Sequence, residues 1–100
     1  MNIKLKNFGQ TLTSRQSGKE SYAAFLPTLE NLPKDETISV DFDGVNTFSP
    51  SWGDEFLTSL MKHYNNKVSL MNTQNLSVQT TIQLLEEING YKFKTKNKPE

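Results

Sequence analysis

Cysteine is absent from this 100-residue chain, and arginine, histidine and tryptophan each occur once. Without cysteine there is no disulfide, no thiolate chemistry and no cysteine-ligated metal, and the composition fits a cytoplasmic protein. The single histidine, His63, has no serine spaced from it in a way that suggests a nucleophile and base, so it reads as a surface helix residue. No sign of charge prevails: eleven basic and eleven acidic residues cancel. A neutral domain lacks the electrostatic footprint of a nucleic-acid binder. Apolar runs reach only a few residues, which excludes a membrane-spanning helix, and the start MNIKLKNFG lacks the apolar core of a signal peptide. A hydrophobic fraction of 34% and a mean hydropathy of -0.62 favour a small core under a wet surface. There is no internal repeat and no low-complexity linker.

What remains is one domain of ordinary size, long enough to bury a single core. Residues 1–95 read as the folded unit and 96–100 as a flexible tail. Ile3, Leu5 and Phe8 alternate with Lys4 and Lys6, which predicts a short first strand ended by Gly9. Tyr22, Phe25, Leu26 and Leu29 fall at helical spacing behind a cap at Ser14 or Ser17, with Glu20 as a capping-box partner of Ser17. Pro27 inside that pattern should kink or split the helix near Leu26. Ile38, Val40 and Phe42 alternate with Ser39 and Asp41 in the clearest strand, which Asp43-Gly44 ends.

Val45 to Phe48 then reads as a connection, and Ser49-Pro50-Ser51 leads into a second helix. Ser51 is placed as its N-cap with Asp54 as reciprocal partner, and Asp54 and Glu55 suit the positive end of the helix dipole. Phe56, Leu57, Leu60, Met61 and Tyr64 form the apolar stripe, closed by Asn65-Asn66. Lys67 to Met71 is a third strand, Asn72 to Asn75 a turn, and Ser77 the cap of a last helix. That helix should bury Val78, Ile82, Leu85 and Ile88 and stop at Asn89-Gly90. Tyr91 and Phe93 among Lys92, Lys94, Lys96 and Lys98 suggest an edge strand guarded by charge. The order predicts an α/β fold: a small single domain with a mixed, mostly parallel sheet and about three helices. Ligands and partners of such sheets meet the carboxyl ends of the strands, here Asp43-Gly44 and Asn72-Thr73.

Several pieces together resemble a known family. They are Phe8-Gly9, Ser14-Arg15 with Gly18, Val40-Asp41-Phe42 running into Gly44-Val45, the block from Ser49 to Leu57, and Asn72-Thr73 with Asn75 and Val78. Over roughly residues 1 to 88 the chain resembles the STAS-like bacterial domains of unknown function, which are related to anti-sigma-factor antagonists. The resemblance implies a non-enzymatic regulatory domain that binds another protein, such as a separate histidine-kinase-type ATPase or regulator. It also implies a switch by phosphorylation of a serine at the helix start after the central strand. Aligning the helix starts puts Ser51 in that position, with Ser49 where the antagonists carry an acid and Trp52 where they carry glycine.

From these residues the candidate sites follow. Ser51, with Ser49 beside it, is either a phosphorylation site or a helix cap, two roles that can coincide. Thr47, Phe48, Trp52, Asp54 and Glu55 form the candidate partner surface. Trp52 is either a lid over the core or an exposed anchor, since tryptophan is enriched at interface hot spots. Asp41, Asp43, Asp54 and Glu55 could be read as a magnesium or acid/base site, but no phosphate-cradling loop accompanies them; turn formation, the helix dipole and hydrogen bonding account for them better. A carboxylate within a central strand needs partners, so Arg15 is expected to pair with a central acid, Asp41 first, with a clamp on a ligand as the alternative. No cofactor, metal, nucleic acid or membrane is expected, and the chain should be a monomer or weak dimer. The alternative function is a small-ligand or nucleotide-binding domain using the same sheet edge.

Overall fold

Two short alternating segments, Ile38–Val40 and Val68–Leu70, each with a serine between two apolar residues, set the centre of the molecule. In the computed structural model, which describes residues 1–64 and 67–96, they pair side by side. The elements are β1 (Asn2–Lys4), a single 3-10 turn (Leu5–Phe8), β2 (Thr11–Leu12), α1 (Arg15–Glu30), β3 (Ile38–Asp41) and β4 (Thr47–Phe48). There follow α2 (Pro50–Gly53), a π-helical turn (Asp54–Thr58), α3 (Ser59–Tyr64), β5 (Val68–Met71), α4 (Leu76–Asn89) and β6 (Lys94–Lys96). Four strands form a sheet in the order β1-β3-β5-β6, with every pairing parallel. This is the small α/β domain expected, but wholly parallel within its sheets.

Period-2 patterning divides the sheet into two unlike faces. Ile3, Ile38, Val40, Val68 and Leu70 are buried on the inner face and join one core with Trp52, Phe56, Leu57, Leu60 and Leu85. The helices lie in one layer over this face: α1 packs on α2 and the π turn, and α2 packs on α4. The alternate residues Asn2, Lys4, Ser39, Ser69, Lys94 and Lys96 face outward and are exposed or half-buried.

Several local expectations change. Leu5 and Phe8 leave the first strand for the 3-10 turn, because Gly9 at φ 137° turns the chain and its N–H bonds the Lys6 carbonyl. Ser14 is the α1 cap, accepting from the Ser17 N–H at 2.9 Å, so Ser17 is not. The helix does not split at Pro27 but continues to Glu30. Proline removes the donor to Ala23; both residues are exposed, so the freed carbonyl stays near water. Thr11–Leu12 and Thr47–Phe48, read as connections, pair in a second, two-stranded parallel sheet. Asn75, not Ser77, caps α4, through the Val78 N–H at 3.2 Å. Val78, Ile82 and Leu85 are buried as expected, whereas Ile88 is 66% exposed. The helix meets its neighbours through Ser77, Thr81 and Leu85, and its last turn has run past them. Gly90, at φ 72°, ends α4 in the left-handed conformation. Lys96 belongs to β6; the rest of the expected tail and the Asn65-Asn66 helix end lie outside the described residues.

Candidate functional site

The loop between β3 and the second helix is gripped from both sides. On one side Gln10 and Leu12 accept backbone hydrogen bonds from Asn46, Thr47 and Ser49 at 2.8–3.1 Å. On the other, Asn75 Nδ2 donates to the carbonyls of Val45 and Asn46, and the Phe48 N–H donates to Ser77 Oγ. Thr81 Oγ1 donates to the Phe48 carbonyl at 2.5 Å. These bonds hold the loop backbone on both sides, so the loop delivers the next helix start in one position.

That start is one serine earlier than expected. Ser49 is the cap: its backbone is extended, its Oγ accepts from the Trp52 N–H at 3.3 Å, and its hydroxyl donates to the Thr13 carbonyl at 2.7 Å. Pro50 explains this. Proline favours the first helical position and forces the residue before it into an extended conformation. Ser51 is consequently inside the first turn, half-buried, with no side-chain hydrogen bond among the described residues. Asp54 is two positions too far from the cap to close a capping box. Ser49→Ala should lose about 0.5–2 kcal/mol of stability, while Ser51→Ala should stay within about 0.5 kcal/mol. Urea unfolding of both variants followed by circular dichroism checks the assignment.

Arg15 pairs with central acids, but not with Asp41. Its Nη1 donates to Asp54 Oδ2 at 2.9 Å and to Glu55 Oε2 at 2.7 Å. The hydrogen bond to Asp54, then that to Glu55, raises the pKa of an already permanent cation. The guanidinium side chain remains 54% exposed, so the pairs fix geometry more than they stabilise the fold. Helix crossing decides the partner: Gly18 packs against the Trp52 backbone, which sets Arg15 above the acids one turn on. Asp41 points to the outer face of the sheet. Its Oδ1 accepts from the Asp43 N–H at 2.9 Å and from Asn72 Nδ2 at 2.7 Å. Asn72 reaches it from a left-handed backbone, φ 58°, which asparagine tolerates better than most residues. The four acids therefore do not converge. Among the described residues, no three of the metal-ligating types are grouped to hold an ion.

Two members of the expected partner surface are in the core. Trp52 is 0% exposed, stacked on Phe56 at 5.0 Å and 13°, and Phe48 meets it edge-on at 6.0 Å. A parallel sheet with helices on one face needs large side chains where helix and loop meet, and these rings supply them. Trp52 is thus the lid over the core, and it and Phe48 cannot touch a partner through their side chains. Thr47, Ser51, Asp54, Glu55 and the exposed Pro50 remain accessible.

Two features escaped sequence reasoning. The π turn over Asp54–Thr58 buries three residues in succession, Phe56, Leu57 and Thr58, a run that departs from helical periodicity. Beside the helix start lies an open groove of about 520 Å³ between β4 and α4, lined by Pro50, Leu76, Thr80 and Thr81 among others. Leu76 stands 76% exposed on its rim. The larger concavity, about 700 Å³, is at the other end of α4 around Glu86, Gly90 and Tyr91, away from the strand ends. Burial is the main cause raising the Tyr91 phenol above its usual pKa. His63 is an exposed residue near the end of α3, its Nδ1 2.9 Å from the Ser59 carbonyl. Among the described residues no helix is long and apolar enough to cross a membrane.

Compared with known families, residues 22–79 match the STAS-like domain of unknown function (DUF4325). No match was found among curated proteins or solved structures. The matched span runs from α1 through β3, the Ser49–Glu55 helix start and β5 to the first turn of α4, and leaves Arg15 outside it. It covers more than half of the chain and contains the strand and helix start on which the resemblance rests, so the chain belongs to the STAS-like domain family.

Proposed function

We propose that this domain regulates a partner protein by binding it, without catalysing a reaction, and that phosphorylation of Ser51 switches the binding. The observation that carries this reading is the contrast between the two serines. Ser49 uses its hydroxyl as both donor and acceptor in holding the helix start, whereas Ser51 is half-buried with no side-chain hydrogen bond among the described residues. Modifying Ser49 would break the cap; modifying Ser51 leaves it intact.

The surroundings of Ser51 supply the response. On a helix, Asp54 and Glu55 are the three- and four-residue neighbours of Ser51. A phosphate would bring roughly −1.5 to −2 charges to a turn whose two carboxylates are already held by Arg15. It would repel them, compete for the guanidinium, and turn a balanced surface negative. The positive end of the helix dipole offsets part of that cost. The groove beside Pro50 and Leu76 adds apolar area to the same surface, and its openness suits a protein better than an enclosed small ligand. A separate ATPase of histidine-kinase type is the partner class the family resemblance favours.

The test is to isolate the partner by affinity capture and incubate it with ATP and the purified domain. Intact mass should rise by one phosphate in the wild type and in Ser49→Ala, and not in Ser51→Ala. Ser51→Glu should weaken partner capture, and Ser51→Ala should preserve it. An unchanged wild-type mass with an active partner kinase, or a phosphate retained in Ser51→Ala, would sink the switch.

A further inference from the structure

We propose that the outer face of the four-stranded sheet is a second docking surface, separate from the Ser51 site, that receives an acidic segment of a partner protein. Parallel sheets almost always have both faces covered. Here the helices cover one, and the side chains of the other, apart from the buried Asp41, are exposed or half-buried.

The chemistry of that face is one-sided. Parallel register sets Ser39 beside Ser69 and Lys94 in one row, and Lys4 and Lys96 at the two ends of the next. Lys67, just before β5, lines the end of this face, its Nζ donating to the Lys34 carbonyl. A groove of about 350 Å³ runs along it between Lys67, Ser69, Lys94 and Lys96. The small serines form a shallow floor with lysines around it. Asp41, the acid within these strands on this face, is buried and bonded to Asn72 and its own turn. The whole chain is neutral, so a concentration of lysines here is a separation of charge across the molecule. The exposed Lys96 bends back over the sheet, its Nζ donating to Ser39 Oγ at 2.8 Å. A cation is thereby held above the floor by a weak neutral acceptor that a carboxylate would outcompete.

The occupant that fits is an acidic protein segment in extended form. Alternate residues of a strand are about 6.6 Å apart, so Lys94 and Lys96 match alternate carboxylates on an extended chain. Nucleic acid fits less well. None of the residues of this face in the four strands is aromatic, so bases have nothing to stack on, and none is an arginine to grip a phosphate with two bonds.

The probe is a fluorescent oligoglutamate peptide, titrated into the full chain at low salt with amide chemical shifts recorded in parallel. Binding should shift the amides of β3, β5 and β6 and weaken as salt rises. Lys94→Glu/Lys96→Glu should lower affinity at least about tenfold. Lys19→Glu/Lys62→Glu, which changes net charge equally on the helix layer, should leave it unaltered. Lys4→Glu, on the opposite edge strand, gives an independent loss should the β6 variant unfold. The proposal is overturned by no binding, by shifts confined to the helix layer, by equal losses in the two double variants, or by an oligothymidylate that binds in preference to the peptide.

Discussion

Trp52→Ala should cost about 3–5 kcal/mol, a large part of the 5–15 kcal/mol that holds a typical domain together. The side chain is fully buried, and its ring meets Phe8 at 6.1 Å, Phe48 at 6.0 Å and Phe56 at 5.0 Å. Removing it empties the place where α2, the 3-10 turn and β4 converge. The indole also carries the one buried side-chain polar atom among the described residues that has no hydrogen-bond partner, Nε1. Leaving such a donor unpaired costs about 1–3 kcal/mol. Trp52→Phe removes that penalty while keeping most of the ring contacts, so its net loss should be less than about 1.5 kcal/mol. Urea unfolding by circular dichroism measures both, since each variant loses the only tryptophan fluorescence. A Phe variant as damaged as the Ala variant would mean that Nε1 has a role that burial alone does not explain.

Gly18→Ala should also destabilise, by about 1–3 kcal/mol, although alanine is the better helix former by about 1 kcal/mol. A Cβ at Gly18 would lie 2.8 Å from the Trp52 carbonyl oxygen, 3.0 Å from Trp52 Cα and 3.2 Å from Glu55 Cβ. Two of those neighbours are backbone, so the helices must move apart rather than a side chain rotate. That movement would lift Arg15 off Asp54 and Glu55, which links this packing contact to the proposed regulatory surface. Gly18→Val should be worse than Gly18→Ala. A higher melting temperature for Gly18→Ala than for the wild type would show that the crossing is looser than its geometry indicates.

The fold was largely legible because the strongest patterns are local. Alternation in Ile38–Phe42 and in Val68–Met71 marks two central strands, helical spacing marks the layer over them, and Gly90 marks the end of α4. Short pairings were not legible. Thr11–Leu12 and Thr47–Phe48 are two-residue strands with no pattern long enough to detect, and they form only because the chain brings them together. The helix cap was readable but misread. Pro50 at the first helical position points to Ser49, a stronger signal than the spacing from Ser51 to Asp54.

The candidate site divides in the same way. Composition and spacing were enough to single out the Ser49–Glu55 helix start, the unusual Asp41 and the lone Arg15, because each breaks a local expectation. They could not say which acid Arg15 would hold, because that depends on how closely α1 crosses α2 at Gly18. Nor could they say whether Trp52 faces solvent or core, since an aromatic at a helix start suits either until the neighbouring rings are in place. Sequence alone established an α/β domain and singled out one helix start where polar residues without a packing role gather. Folding then put Trp52 into the core, turned Asp41 away from Arg15, and left Ser51 as the serine of that pair whose hydroxyl is not engaged in holding the structure, because side-chain direction and helix crossing are set by contacts between residues far apart in the chain.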